Sequence, residues 1–448
     1  MEGLEIQEFN LASILKHENI RLEAEFYTSQ TELFSEYFLG KDIIKSCTYN
    51  SIYGMNAEGK GYPAIRMNEF DGLFIGKPTQ FAHNFLLEDF KKHQLKENDI
   101  LICRTNGNPN LVGKSALVMI DEPYVYESHL FKIQAKQEII NSHTLATYLN
   151  CKYGKQEIFR YSMQGNQSNF SLAKFKEMKI PKFSSELQKD IKILISSSFE
   201  KLQKSKEAYQ AAQDLLLDHL GLKDFNPPAQ AVNIKSFADS FGTSGRLDAE
   251  FYQEKYEGYL KKIQAYPYGC EPIRTACKLK DANYTPKDNQ TYRYIELSNI
   301  GNLGEITGAS LDLGCNLPSR ARRKVSKNDV IVSSIEGSLA SCAIVSEQYH
   351  QALCSTGFYV VSSEKINSET LLILFKSEPI QQLLKQGCSG TILTAINKDE
   401  FLNIPLPLVD ANIQTQIADL IRQSDRLRQE SQALLEEAKR KVEQAIES

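Results

Sequence analysis

The chain has 448 residues, of which 42% are hydrophobic and 10% aromatic, and its formal net charge is −4. This length exceeds what one hydrophobic core serves and indicates two to four domains, while the composition argues against long disordered segments. The slightly acidic balance gives no overall sign of a polyanionic partner, although local basic patches decide such binding more than totals do.

The cysteines and the first residues bear on the compartment. Nine cysteines are scattered without a CxxC pair, which is typical of a reducing compartment and of neither a disulfide framework nor a metal site. The opening segment, MEGLEIQEFN, has no basic stretch followed by an apolar one, and no long apolar window suggests a membrane span. These features predict a soluble, cytoplasmic protein.

Similar segments recur in the two halves of the chain. Four pairs occur in the same order, given as first and second copy: 21–27 and 246–252, 62–70 and 292–300, 95–100 and 325–330, and 179–183 and 405–409. The first pair reads RLEAEFY and RLDAEFY, and the offsets between copies stay between 225 and 230 residues. A period of half the chain predicts duplication of a whole domain with its following helix, and not a solenoid.

Each copy combines short apolar runs with glycine- and asparagine-rich turns. The predicted strands are 99–104, 114–120, 329–334 and 343–346, and the predicted helices are 142–152 and 368–376. Both copies therefore read as α+β domains with a mixed or antiparallel sheet. Arg21 and Arg246, each followed by acidic residues, are interpreted as structural residues that form a salt bridge at a helix start.

A long helix with a coiled-coil pattern follows each domain. In the later helix, the positions of a regular four-three spacing are Ile413, Ile417, Leu420, Ser424, Leu427, Ser431, Leu434, Ala438, Lys441 and Ala445. In the earlier helix they are Leu187, Ile191, Leu194, Leu202, Ser205, Tyr209, Ala212 and Leu216, with a slip near Ser198. We expect the helices to pair as an antiparallel coiled coil, and Gly221 to cap the earlier one. The alternative is that each helix packs only on its own domain.

Antiparallel pairing of the helices would relate the two domains by a pseudo-two-fold axis. The earlier helix, predicted over 186–220, would be about 50 Å long at 1.5 Å per residue. Two similar modules on a rigid spacer suit a two-fold-symmetric polymer with two half-sites, and double-stranded DNA is the obvious candidate. The predicted parts are a first domain at 1–182, a central helix at 183–222, a linker at 223–245, a second domain at 246–406 and a C-terminal helix at 407–448.

Motifs of catalysis are missing from the sequence. No glycine-rich nucleotide loop follows a strand, no HExxH occurs, and the seven histidines are dispersed. Asn226-Pro-Pro-Ala is similar to the NPP[FY] motif of adenine methyltransferases, but it ends in alanine and follows a helix, so it is interpreted as linker. The ExK tripeptides at 58–60 and 177–179 lack the Pro-Asp partner of a nuclease site. The sequence predicts a non-catalytic protein without a metal site.

Basic and amide-rich loops are the candidate nucleic-acid contacts. In the first copy they supply Arg104, Asn106, Asn108, Lys114, Gln164, Asn166, Gln167 and Asn169. In the second copy they supply Arg320, Arg322, Arg323, Lys324, Lys327, Lys385 and Thr391. Arginine, asparagine and glutamine form the paired hydrogen bonds that read guanine and adenine edges, whereas lysine and hydroxyl groups hold phosphates. The alternative is that these loops are merely solvated surface. The cluster at 320–324 favours phosphate contact because its charges repel unless a polyanion screens them.

Taken together, the chain resembles the specificity (S) subunit of type I restriction–modification systems over nearly its full length. Residues 401–448 are similar to the C-terminal conserved region of that family, and residues 175–220 to its central one. Leu95-Lys-Glu-Asn-Asp-Ile-Leu and Val325-Ser-Lys-Asn-Asp-Val-Ile match the family's "LKxGDIL"-like turn into a strand. Both copies carry asparagine where glycine is usual, which a left-handed turn tolerates. The first copy also departs at Ile180-Pro-Lys-Phe, where IPLP would be typical.

The resemblance implies two target-recognition domains, each reading one half of a bipartite DNA sequence. The long helices would set the spacing and dock two methyltransferase (M) subunits, which carry S-adenosylmethionine and the adenine-methylating site. Restriction (R) subunits would join the larger complex, and this chain would bind no cofactor itself. Two alternatives remain at this point: a duplicated coiled-coil scaffold that binds proteins without DNA, and an enzyme with an unrecognised site, which the absence of clustered polar motifs makes the weakest.

Overall fold

The structure, a computed structural model, describes residues 35–50, 54–83, 86–162, 168–228, 230, 232–390 and 394–448. The chain divides into two compact units, one made of residues 1–202 with 429–448 and the other of residues 203–428. Each unit therefore holds one copy of the repeat and a part of both long helices. Within the described ranges, no helix is both long enough and apolar enough to cross a membrane. The segment 21–27, with Arg21, lies outside them.

The first copy of the repeat is a sheet-and-helix domain. Its strands are β1 (Tyr37–Leu39), β2 (Ile44–Tyr49), β3 (Met55–Asn56), β4 (Tyr62–Ile65), β5 (Phe70–Asp71), β6 (Phe74–Ile75), β7 (Gln80–Ala82), β8 (Asp99–Cys103), β9 (Thr105–Asn106), β10 (Ser115–Leu117), β11 (Val125–Tyr126), β12 (Leu130–Ala135), β13 (Ser168–Asn169) and β14 (Lys179–Pro181). Its helices are α1 (Gly40–Ile43), α2 (Leu87–His93), α3 (Ser142–Asn150), α4 (Lys152–Tyr161), α5 (Leu172–Glu177) and the long α6 (Ser185–His219). The two larger sheets have the strand orders β2-β12-β8-β10-β6-β5 and β11-β4-β7-β3.

The second copy follows the same plan. Its helices are α7 (Phe241–Ser244), α8 (Glu254–Gln264), α9 (Ile273–Ala276), α10 (Ser368–Lys376), α11 (Glu378–Gln386), α12 (Lys398–Asn403) and the long α13 (Ala411–Glu447). Its strands are β15 (Cys270–Pro272), β16 (Lys278–Leu279), β17 (Thr291–Ile295), β18 (Ser310–Leu313), β19 (Ala321–Lys324), β20 (Val330–Ser333), β21 (Cys342–Ile344), β22 (Leu353–Ser355), β23 (Phe358–Ser362), β24 (Cys388–Ser389), β25 (Ala395–Ile396) and β26 (Pro405–Pro407). The larger sheets are β16-β23-β20-β21 and β18-β17-β22-β19.

The predicted α+β class is confirmed, and the central strand shows why the pattern was informative. All five residues of β8 are buried, and the strand is paired antiparallel to β10 on one side and to β12 on the other. A short apolar run without polar alternation is typical of a strand covered on both faces. In the second copy, β20 has the same fully buried character between β21 and β23.

The turn before this strand is the same in both copies. Asn98 and Asn328 have φ angles of 69° and 66°, in the left-handed region that asparagine tolerates better than most residues. The aspartate that follows closes the turn, because Asp99 Oδ2 accepts from the backbone N–H of Lys96 at 2.9 Å. The substitution of asparagine for the usual glycine thus keeps the backbone geometry, as the sequence predicted.

A glutamine clamp ties each domain to its long helix. Gln188 Oε1 in α6 accepts from the backbone N–H of Asn141 at 2.8 Å, and Asn141 Nδ2 donates to the Gln188 carbonyl at 2.8 Å. In the second copy, Gln414 and Asn367 make the same two bonds at 2.8 and 3.0 Å. Both asparagines also cap the next helix through their side chains. The clamp therefore fixes one helix start to another.

The two long helices pack against each other, and in the first unit their direction is antiparallel. Asp190 pairs with Lys441 at 3.0 Å, and Ser198 with Ser431 at 2.8 Å between hydroxyl oxygens. The residue numbers of the paired positions therefore increase along α6 as they decrease along α13. In the second unit, the hydroxyl groups of Ser205 and Ser424 lie 3.0 Å apart, and each also donates to the other's carbonyl.

The buried face of α13 differs by one residue from the expected seam at every second position, whereas in α6 the expected seam is confirmed from Leu202 to Leu216 and differs at Leu194. In α6 the most buried side chains form an unbroken four-three series without the slip near Ser198: Ile191, Ile195, Ser198, Leu202, Ser205, Tyr209, Ala212 and Leu216. In α13 they include Ile417, Ile421, Ser424, Ser431, Leu435, Ala438 and Val442. The expected Leu187, Leu194, Ile413, Leu420, Leu427, Leu434 and Lys441 are partly exposed, and Ala445 is exposed. Adjacent apolar pairs such as Leu194–Ile195 allow either register, so the spacing alone could not choose.

Two smaller expectations concern single residues. Gly221 has a φ of +64° just after α6, and the N–H of Leu222 reaches back to the Leu217 carbonyl at 2.8 Å, so the predicted C-cap is confirmed. Arg246 forms its predicted salt bridge, with Nη2 2.6 Å from Asp248 Oδ2. The partner is only two residues away, however, and the next helix begins later, at Glu254.

Candidate nucleic-acid interface

The first domain carries a cleft where the ends of β4 and β9 meet the turn after β11. Its volume is about 310 Å³, and its lining residues are Arg66, Met67, Asn68, Thr105, Asn106, Gly107, Glu127 and His129. This volume is at the lower end of the range for ligand pockets. The cleft has room for the edge of a nucleobase or a side chain, and its walls are mostly polar.

Glu127 is the acceptor at the bottom of this cleft. Its Oε1 accepts from the backbone N–H of Met67 at 3.1 Å. Burial raises the pKa of Glu127, and the nearby charges of His129 and Arg66 only partly oppose that shift. The ring of His129 is held in turn, because its Nδ1 lies 2.8 Å from the hydroxyl oxygen of Thr105. The carboxylate is therefore held in place and partly desolvated, which strengthens any hydrogen bond that it accepts.

Arg66 forms an ion pair with Glu69 inside the domain. Its Nη2 lies 2.6 Å from Glu69 Oε1, and the Thr79 hydroxyl donates to the same oxygen at 2.7 Å. Burial acts to raise the pKa of Glu69, but the hydrogen bonds from Arg66 and Thr79 lower it overall. The guanidinium is thus a fixed wall of the cleft rather than a mobile phosphate ligand.

The structure brings some of the first-copy candidates together. Arg104 lies over the ring of Tyr49, with Cζ 5.4 Å from the ring centroid, and β9 pairs with β13 so that Thr105 faces Asn169. The side-chain oxygens of Asn106 and Asn108 accept from backbone N–H groups of the loop, at 2.8 and 3.1 Å. The amide nitrogen of Asn106 donates one of its two hydrogens to the sulfur of Met67 at 3.5 Å.

The other first-copy candidates stand apart. Lys114 is half-buried, and burial lowers its pKa. It does not line the cleft. Gln164, Asn166 and Gln167 lie outside the residues that the structure describes.

The second domain carries a cleft of different chemistry, beside β17 and β22. Its volume is about 320 Å³, and its lining residues are Tyr284, Gln290, Thr291, Tyr292, Arg293, Leu311, Lys324, His350, Gln351 and Ala352. Cations, amides and phenol groups replace the carboxylate of the first cleft. Such a set suits phosphates and base edges that carry acceptors.

Several contacts hold the side chains of this second cleft. Lys324 Nζ lies 5.1 Å from the ring centroid of Tyr284, whose hydroxyl oxygen is 3.0 Å from that of Tyr292. Gln351 has a φ of 67°, in the left-handed region that costs a residue with a β-carbon about 1–2 kcal/mol. Its Nε2 is 3.3 Å from Nε2 of His350. Strained backbone of this kind is common at functional sites, so Gln351 joins the candidates.

The side chains of the basic cluster at 320–324 are divided between different surroundings, and phosphate contact by the cluster stays a prediction. Four of its residues lie in strand β19, where successive side chains point to opposite faces. Lys324 faces the cleft, whereas Nη1 of Arg323 is buried and has no hydrogen-bond partner among the described residues. Arg320 is exposed, and Nε of Arg322 donates to the Ser319 carbonyl at 3.0 Å.

The remaining second-copy candidates are paired elsewhere. Lys327 Nζ is 2.6 Å from Glu347 Oε2, and Lys385 Nζ is 3.7 Å from Glu250 Oε1. Thr391 lies outside the described residues. In the part of the chain that the structure describes, no group of three or more His, Cys, Asp or Glu residues could hold a metal ion.

Comparison with known proteins decides which family has this duplicated architecture. A family model described as "Type I restriction modification DNA specificity domain" matches residues 38–208 and again residues 273–440. The chain belongs to this family. The two matches fall on the two copies of the repeat, so the specificity domain is present twice and gives the chain its DNA sequence-specificity role in a type I restriction–modification system.

Solved structures are similar to this S subunit over most of its length. The S subunit of a type I restriction–modification system from M. genitalium is 11% identical, with 92% of this chain and 97% of that chain covered and a TM-score of 0.41. The HsdS subunit from Thermoanaerobacter tengcongensis is 13% identical, with 90% and 96% covered and a TM-score of 0.28. A chain from a structure on complex assembly and conformational transition of the type I R-M system is 13% identical, with 92% and 96% covered and a TM-score of 0.29. Curated proteins gave no significant match.

Sequence reasoning missed most residues that line the clefts. Of the eleven candidates that the structure describes, Asn106 and Lys324 alone are lining residues, whereas Glu127, His129, Arg293 and Gln351 were not singled out. Glu127 and His129 follow a strand far from the Arg104 loop in sequence, and only the parallel pairing of β4 with β11 brings them beside Met67. No local motif marks such residues.

Proposed function

We propose that this chain is the non-catalytic specificity subunit of the complex and that each domain reads one half of a bipartite double-stranded DNA site. The observation that carries the proposal is the pairing of one repeated frame with two unlike clefts. The turn at Asn98 or Asn328 and the clamp at Gln188 or Gln414 are the same in both copies. Two domains with the same turn and clamp but with different cleft side chains suit the recognition of two different base sequences.

The chemistry of each cleft favours different contacts on DNA. In the first cleft the carboxylate of Glu127 would accept a hydrogen bond from an exocyclic amino group, as on cytosine or adenine, and Asn68 and Asn106 would supply amide groups. In the second cleft Lys324 would hold a phosphate, while Arg293 and Gln351 would reach guanine or adenine edges. The acidic net charge of the chain does not oppose this reading, because phosphate contact depends on local cations.

The partners follow from this role. Two methyltransferase subunits would dock on the long helices and bring S-adenosylmethionine, since the sequence of this chain has no glycine-rich nucleotide loop after a strand. Restriction subunits would join a larger complex. The competing scaffold function, which binds proteins without DNA, explains neither the cation-lined second cleft nor its strained Gln351.

A salt titration with a matched charge control tests DNA binding. The chain is purified with its methyltransferase partner, and the affinity for a target duplex is measured between about 50 and 200 mM salt for the wild type, Lys324→Ala and Lys365→Ala. The logarithm of the affinity falls linearly with the logarithm of the salt concentration, and each phosphate contact makes this slope steeper by about 0.9. We expect Lys324→Ala to make that slope less steep by about one, because one phosphate contact is lost. Lys365 lies outside the cleft, where it pairs with Glu271 at 2.6 Å, so Lys365→Ala should leave the slope unchanged.

Two results would contradict the proposal. Absence of salt-dependent DNA binding by the complex would favour the scaffold function. Methyl transfer to DNA by the purified chain alone, without its partner, would contradict the non-catalytic role.

A further inference from the structure

The buried faces of the two long helices are copies of each other, with one change of charge. The matching residues of α6 and α13 are Ile191 and Ile417, Ile195 and Ile421, Ser198 and Ser424, Leu202 and Arg428, Ser205 and Ser431, Tyr209 and Leu435, Ala212 and Ala438, and Leu216 and Val442. Six of these pairs are the same or similar apolar or small residues in both copies, and the pair of Tyr209 and Leu435 is also uncharged. The exception, Leu202 and Arg428, introduces a charge into a position that is otherwise apolar.

In the first unit, this part of the helix pair packs on an apolar hairpin. The hairpin of β5 and β6 presents Phe74, whose ring centroid is 5.2 Å from that of Phe199 in an edge-to-face arrangement. Leu73, Leu202 and Leu435 belong to the same buried cluster. At this position the domain is thus held on its helices by non-directional apolar burial.

In the second unit, the equivalent turn presents a carboxylate instead. The turn closes through the pairing of Ile300 with Ile306, and its Gly304 carbonyl accepts from the N–H of Ile344, as the Leu73 carbonyl of the first-copy hairpin accepts from the N–H of Leu117. This places Glu305 at the position of Phe74. Glu305 Oε1 lies 4.0 Å from Nε of Arg428.

Other side chains around this ion pair are polar as well. Arg428 Nη2 is 2.5 Å from Asp425 Oδ1, and Asp425 occupies the position of Phe199. Tyr209 stands where the first unit has Leu435, and its hydroxyl oxygen is buried without a hydrogen-bond partner among the described residues. Side-chain exposure is 25% for Arg428 and 15% for Glu305, so the pair is only partly buried. Four apolar positions of the first unit are therefore polar in the second.

We propose that Arg428 is a positioning residue for the second domain, which it holds on the helix pair through Glu305. The proposal rests on the proposed function, in which this domain reads one half-site. An ion pair is directional and weakens as salt screens it, whereas apolar packing does not. The consequence is an asymmetry at this position: the second domain adds a salt-sensitive contact to its apolar packing on the helices, whereas the first domain has apolar packing there.

Hydrogen exchange on the full chain tests the contact itself, without DNA. We expect exchange at 300–306 to accelerate roughly three-fold between about 0.05 and 0.5 M salt, and exchange at 70–75 to stay constant. Arg428→Leu should accelerate exchange at 300–306 about ten-fold, because it removes the cation that pairs with the Glu305 carboxylate from α13. The double variant Arg428→Leu with Glu305→Phe copies the first unit at the two positions that form the ion pair, so it should restore protection and remove the salt response. Arg440→Leu, an exposed arginine of the same helix, is the matched control and should change nothing.

The functional readout uses the complex with the methyltransferase partner. Arg428→Leu should reduce discrimination at one half-site only, and the double variant should recover it. The proposed contact is wrong if the exchange rate at 300–306 changes neither with salt nor in the Arg428→Leu variant. It is also wrong if the exchange rate at 70–75 changes as much as that at 300–306. If the exchange results are as expected but the complex does not bind DNA, the proposed function is wrong and the salt-sensitive contact is still supported. The positioning role is overturned if Arg428→Leu accelerates exchange while discrimination at both half-sites is unchanged.

Discussion

Replacement of Gln414 by leucine should loosen the second domain from α13 and leave the first domain unaffected. The side chain makes three hydrogen bonds: Oε1 accepts from the Asn367 N–H at 2.8 Å, and Nε2 donates to the carbonyls of Val409 at 2.8 Å and Lys365 at 3.0 Å. Each is worth about 1 kcal/mol, so the loss amounts to about 3 kcal/mol of local stability. Leucine has a similar size, so packing should change little.

Hydrogen exchange of α10 measures this loss directly, because Asn367 caps that helix. A change of about 3 kcal/mol in local opening corresponds to roughly 100-fold faster exchange. Gln188→Leu is the matched control, since Gln188 makes the equivalent bonds to Asn141 in the first domain. It should accelerate exchange in α3 and not in α10. Less than a three-fold change in α10 for Gln414→Leu, or equal effects of both variants on both helices, would refute the clamp.

Three further outcomes follow from particular residues. Asn328→Gly should keep or raise the melting temperature and Asn328→Ala should destabilise the chain by about 1 kcal/mol in thermal denaturation, because φ at this residue is 66°; a stabilising alanine would contradict this. Burial lowers the pKa of His143 to about 4, so folded stability should fall by up to about 3 kcal/mol as pH drops from about 6.5 to 4, when only the unfolded chain takes up the proton; His143→Leu should flatten that dependence in urea titrations at several pH values. Ser205→Ala should destabilise the helix pair by about 1–2 kcal/mol, and adding Ser424→Ala should cost less than the first change, since the two hydroxyl groups bond each other; full additivity in a double-mutant cycle would argue against the pair.

The architecture could be read from the sequence because it depends on repetition and periodicity. The repeat at an offset of about 226 residues, the turn at Asn98 and Asn328 and the two long helices are local patterns with one structural solution. The glutamine clamp was not predicted, although the same offset relates Gln188 to Gln414. The structural role of each glutamine depends on an asparagine that is distant in sequence.

The register of the helix seam and the clefts could not be read in this way. Leu420 and Ile421 are equally apolar, and only the packing of α13 on the second domain buries Ile421 more deeply. The cluster at 320–324 looks continuous in sequence, but a strand sends Arg323 and Lys324 to opposite faces. Strand pairing, which brings Glu127 to Met67, is a non-local event that no local pattern encodes.

A map of methylated adenines across the genome tests most directly the claim that each domain reads one half of a bipartite site. Cells would carry the methyltransferase partner with no S subunit, with the wild-type chain, or with a variant in one cleft, either Glu127→Gln or Gln351→Asn. We predict a bipartite methylated motif that depends on the chain, with Glu127→Gln altering the bases accepted in one half and Gln351→Asn those in the other. A motif that is continuous, that persists without the chain, or that changes in the same half for both variants would contradict the account.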